Sequence, residues 1–82
     1  MSIIKVMGDS GHNKVRWDPG AVKARDSDAL AAVREAERLF NEAREKGASA
    51  FTVDPVTHQT TRIDEFDPDA EETIVALPLA GG

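Results

Sequence analysis

Between Ser27 and Gly47 the chain sets Leu30, Val33, Ala36, Leu39, Phe40 and Ala43 at intervals of three and four residues. That spacing predicts an amphipathic helix with a single apolar stripe. Arg34, Glu35, Glu37, Arg38, Glu42, Arg44, Glu45 and Lys46 fill the remaining positions. Ser27 or Asp28 is suited to cap its start, and Gly47 to take the left-handed conformation just past its end. With 82 residues the chain is one small domain. One helix with one stripe must bury it on something flat, so a two-layer arrangement of helix on sheet is expected.

The flanking segments carry the period of two that a sheet requires. In Ser2 to Met7, Ile4 and Val6 share one face and Ile3, Lys5 and Met7 the other. Gly8 to Asn13 has turn chemistry. Lys14 to Asp18 alternates again, with Val15 and Trp17 on one face, completing an N-terminal hairpin. The stretch from Asp18 to Asp26 reads as loop or a short helical turn. After Gly47, Ser49, Phe51 and Val53 share a face, Thr60 to Phe66 is β-prone, and Thr73 to Leu77 forms a last strand. The expected order is ββ-α-β-β-β, an α+β fold with one helix on a mixed sheet. A right-handed crossover can lay a later strand parallel to the first.

Composition narrows the function classes. Hydrophobic residues make up 40% and charged residues 30%, a globular balance. No apolar run reaches about 18 residues, so no membrane span is expected. The first residues lack the basic segment and apolar stretch of a secretory signal. The chain has no cysteine, which removes disulfides, thiol catalysis and zinc–thiolate sites and makes the cytoplasm the expected location. Its net charge of −5 argues against nucleic acid; it fits a basic protein partner better, although acidity mostly reads as solubility. Ala- and Arg-rich usage points to a bacterial source, and a monomer is expected.

Several chemical-looking motifs fail on their context. Gly8-Asp9-Ser10-Gly11 matches the start of the nucleophile sequence of chymotrypsin-like proteases. His12 stands where that family has glycine, and a chain this short cannot build the surrounding double barrel. The same stretch lacks the spacing of a phosphate loop. Asp64, Glu65, Asp67, Asp69, Glu71 and Glu72 crowd carboxylates, but an EF-hand counted from Asp67 would put Glu72 where glycine is required and Pro78 where glutamate is. They read as a solvated acidic turn that could dock a basic partner. His12 and His58 lie in separate turns without a second ligand, so no metal site is expected. Ile3, Lys5 and Met7 face away from the helix and form a candidate partner patch.

The final residues, Leu77-Pro78-Leu79-Ala80-Gly81-Gly82, carry the functional reading. They resemble a sortase signal only superficially, because Ala80 replaces its threonine and no apolar anchor follows. Residues 77–82 are expected to be an extended, flexible tail on a domain spanning 1–76. Gly81 and Gly82 have no side chains, so they can thread a narrow channel and present a carboxylate for attack on the α-phosphate of ATP. Pro78 favours an extended tail.

The element order, the size, the single helix and the Gly81-Gly82 end together resemble ubiquitin and its bacterial relatives, including the β-grasp sulfur carriers. Leu77 and Leu79 match the leucines of ubiquitin's tail, while Pro78 and Ala80 stand where it has arginines. The resemblance implies a substrate role and no enzymatic one. The Gly82 carboxylate would be adenylated by a dedicated activating enzyme that binds ATP and Mg²⁺ itself, with Leu77, Pro78, Leu79 and Ala80 recognised by that enzyme. No cofactor would be bound stably by this chain. A conjugating enzyme and a deconjugating protease are further implied partners. Three readings remain open: a modifier joined to target amines, a sulfur carrier activated as a thiocarboxylate, and a non-catalytic β-grasp subunit of a larger complex.

Overall fold

A computed structural model describes residues 1–8 and 11–78. The chain folds as an α+β unit in which the helix predicted from the stripe packs on one face of a five-stranded sheet. The strands are β1 (Ser2–Gly8), β2 (Gly11–Trp17), β3 (Ser49–Val53), β4 (Thr60–Ile63) and β5 (Glu72–Ala76). Their order across the sheet is β2-β1-β5-β3-β4. β1 and β5 run parallel at its centre, with Lys5 opposite Ile74, and the other neighbours are antiparallel. This order is compatible with a β-grasp.

Two helices join β2 to β3. α1 (Pro19–Lys23) occupies the stretch read from sequence as loop or helical turn, and the Asp18 side chain caps it by accepting from the Gly20 N–H at 2.9 Å. The long helix α2 (Ser27–Glu45) is capped by Asp26, one residue before the two candidates read from sequence. Its Oδ2 accepts from the Ala29 N–H at 3.1 Å. Three consecutive residues here suit an N-cap, and the turn of Ala24 and Arg25 leaves Asp26 with the extended backbone that the position needs. Gly47 has φ of 90°, as expected just past the helix.

The core lies between α2 and one sheet face. Ile4 and Val6 of β1, Trp17 of β2, Ala50 of β3 and Val75 of β5 are buried against Ala36, Phe40 and Ala43 of α2. Much of this interface is alanine, which lets helix and sheet approach closely and leaves few large side chains to exclude water. Phe66, in the loop before β5, closes one end. Its ring centroid is 5.7 Å from that of Trp17 and 5.8 Å from that of Phe40. The Trp17 Nε1–H donates to the Pro68 carbonyl at 3.0 Å, tying this loop to the end of β2.

Two hydroxyls break the apolar pattern. Ser2 and Thr73 are fully buried, and Ser2 Oγ and Thr73 Oγ1 have no hydrogen-bond partner among the described residues. A buried hydroxyl without a partner costs about 1–3 kcal/mol. Thr73→Val keeps the shape and removes that cost, so it is expected to raise stability by about 1 kcal/mol in urea unfolding. A loss of stability would show that the hydroxyl is bonded in solution.

Candidate functional site

The exit of β5 is built by its central place in the sheet. The Leu77 N–H donates to the Met7 carbonyl at 2.9 Å, extending the β1–β5 pairing one residue beyond the strand. Alternation turns the Leu77 side chain to the helix side, where it packs against the core. It lies directly over Gly8: a Cβ on Gly8 would come within 2.7 Å of Leu77 Cδ1. Pro78 follows, exposed, beside Gly47, where a Cβ would lie 3.9 Å from Pro78 Cγ. The chain therefore leaves the sheet between two glycines, one at the end of β1 and one at the end of α2. Leu79, Ala80, Gly81 and Gly82 lie outside the described residues, as do Asp9 and Ser10 of the protease-like motif.

Beside this exit a groove of about 500 Å³ runs between β2 and α2. Val15, Leu39, Ala43 and Leu77 line its floor, and Glu35, Arg38 and Lys46 its rim. Arg38 bridges Glu35 and Glu42 on the exposed surface of α2. The hydrogen bond and charge between Arg38 and Glu35 hold the Glu35 carboxyl below its usual range and raise the Arg38 guanidinium further.

Among the described residues the opposite sheet face carries no helix. Pairing aligns its outward residues in three rows across the strands. The first row is Arg16, Ile3, Glu72, Val53 and Thr60. The second is Lys14, Lys5, Ile74, Phe51 and Arg62. The third is His12, Met7, Ala76 and Ser49. Ile3, Lys5 and Met7 thus sit side by side on this face as the alternation predicts, and all three are half-buried. Lys5 Nζ reaches Glu72 Oε2 at 3.0 Å. His12, Lys14 and Arg16 are exposed on the outer strand.

The acidic turn is held by its own backbone. The Asp67 carboxylate accepts from the Asp69 N–H at 2.9 Å, and Arg44 reaches Asp64 at 3.4 Å. Among the described residues no three histidine or carboxylate side chains converge as a metal site. Between β3 and β4, Asp54 accepts from the Thr57 and Val56 N–H groups, which lowers its pKa, with a smaller contribution from His58. No helix of the described residues is long and apolar enough to cross a membrane.

Leu77 is read from sequence both as the end of the last strand and as the first residue of the tail; β5 ends at Ala76, while the Leu77 side chain joins the core and its amide joins the sheet. The alternation of His12, Lys14 and Arg16 does carry a signal, namely three basic side chains on one face of one strand. A comparison with protein-family models, curated proteins and solved structures finds no match to the chain.

Proposed function

We propose that this chain is a β-grasp protein of the ubiquitin-like kind, and that it serves as a modifier joined to target amines through Gly82. The observation that supports this reading most is the strand order β2-β1-β5-β3-β4 with its central parallel pair. That order delivers the chain from the middle of the sheet into Leu77 and Pro78, and the Gly81-Gly82 motif follows within four residues. A segment leaving a sheet centre stands on the most firmly held strand of the fold. Gly8 and Gly47 leave its base clear of side chains on two sides.

In this reading the free Gly82 carboxylate attacks the α-phosphate of ATP on an activating enzyme and releases pyrophosphate. A thiol of the partner displaces AMP to give a thioester, and a target amine then displaces the thiol. This chain supplies the acyl group and no general base. Catalysis, ATP and Mg²⁺ belong to the partner, and a conjugating enzyme and a deconjugating protease complete the cycle. Pro78 and Ala80 mark the tail for an enzyme other than ubiquitin's own.

The test is mass spectrometry on cells of the source organism expressing the chain with an N-terminal tag. Trypsin cuts after Arg62, so a conjugate leaves residues 63–82 on an acceptor lysine. The expected result is tagged species of higher mass carrying that remnant. A tagged chain found only at its own mass would sink the proposal. Exchange of one oxygen for sulfur at Gly82 would assign the sulfur-carrier role instead, and an unmodified chain within a stable complex the subunit role.

A further inference from the structure

The net charge of −5 hides an opposite local charge. On the open sheet face the strand positions include Lys5, Lys14, Arg16 and Arg62 against the single carboxylate of Glu72. The basic groups concentrate on the β1–β2 ribbon at the sheet edge, and Lys5 and Lys14 are direct cross-strand partners. Like charges in that position destabilise a sheet. Glu72 relieves Lys5. Lys14 and Arg16 are the part of the ribbon left without an opposite charge among the described residues, and a local conflict left standing on a surface points to a functional use.

We infer that the outer face of the β1–β2 ribbon docks an acidic segment of a partner protein, with Lys5, Lys14 and Arg16 taking its carboxylates. The shape of the ribbon agrees with its charge. A depression of about 340 Å³ is lined by Ile3, Lys5, Lys14, Arg16 and Glu72, with Met1 and Ser2 at its margin. A second, of about 210 Å³, is lined by Lys5, Met7, His12 and Lys14. The Lys5–Lys14 pair separates the two, so apolar side chains can seat at Ile3 and Met7 while carboxylates between them meet the lysines. A nucleic acid fits less well. Its phosphates would continue past the ribbon to Glu72 and the acidic turn of residues 64–72, where they would be repelled. The inference does not depend on the chemistry of Gly82.

The test is an NMR titration of the isotope-labelled chain. The probe is a synthetic capped peptide with aspartates flanking two leucines. Addition is expected to move the amide signals of Lys5, Met7, Lys14 and Arg16, and binding is expected to weaken as salt is raised. The same peptide with asparagine for aspartate is expected not to bind. The double variant K14E/R16E should bind about tenfold or more weakly. It should also melt higher than the parent, because K14E sets a carboxylate opposite Lys5 across the strands. Weaker binding together with higher stability separates a docking role from a structural one. Shifts confined to α2, binding unchanged in the double variant, or tighter binding of single-stranded DNA at the same residues would each overturn the inference.

Discussion

Replacing Phe40 by alanine is expected to remove a large share of the stability of the domain. Phe40 is 1% exposed and is the largest of the fully buried side chains. The buried cluster it belongs to includes Ala36, Ala43, Ala48 and Ala50, side chains too small to fill the space it leaves. A truncation of this kind costs about 3–5 kcal/mol. An 82-residue domain at about 0.05–0.15 kcal/mol per residue has a total of about 4–12 kcal/mol to lose. Urea unfolding followed by Trp17, the one tryptophan, reads the change directly. Phe66→Ala provides the comparison. Phe66 is half-buried, so its loss should cost less while still disturbing the Trp17 signal through their ring contact. A Phe40→Ala midpoint close to that of the parent would mean that the helix does not rest on the sheet through this ring.

Removal of Gly81 and Gly82 is expected to leave that stability unchanged and to abolish every conjugate. The two residues lie beyond Leu77, whose amide makes the last bond to the sheet among the described residues, so the melting curve should overlay that of the parent. The activation step needs the Gly82 carboxylate itself, and the new terminal residue would be Ala80, whose methyl group narrows the fit in a channel shaped for glycine. The measurement is the disappearance of tagged high-mass species in the source cells, with the unconjugated protein still present at its usual level. Leu77→Asp is the informative companion. It should lower both stability and conjugation, because Leu77 belongs to the core as well as to the base of the tail. Conjugates that persist after the glycines are removed would rule out the modifier reading.

What could be read from the sequence followed from periodic burial. Ile4 with Val6, and Val15 with Trp17, alternate because one face of their hairpin is covered and the other is not. The α2 stripe repeats because the helix lies along the sheet. The structure adds what has no period. Phe66 seals the core from a loop, and a single aromatic residue among carboxylates carries no repeating signal. Asp26, Ser27 and Asp28 are equally fit to cap a helix, and only the preceding turn selects the first. Leu77 stands where the last strand and the tail overlap, and proline limits its own amide and not its neighbour's, so the Leu77 N–H is free to bond Met7. The basic ribbon is lost by averaging: a net charge summed over the chain cannot register that alternation gathers His12, Lys14 and Arg16 on one side of β2.

The parallel pairing of β1 with β5 also sets when this domain can fold. The earliest strand of the sheet finds its partner in the latest, as in the Lys5–Glu72 contact across 67 positions of sequence. Closing so long a loop is entropically costly and slow, and the gain arrives only once it is closed. Without β5 the chain can pair β1 with β2 and β3 with β4, but the centre of the sheet is missing. β1 and β3 then each present an unpaired edge, the kind of surface that aggregates. Docking of residues 72–76 fills both edges at once. A chain that ends before residue 72 therefore has neither a finished sheet nor the segment that leaves it, so β5 completes the fold and presents the tail in one step.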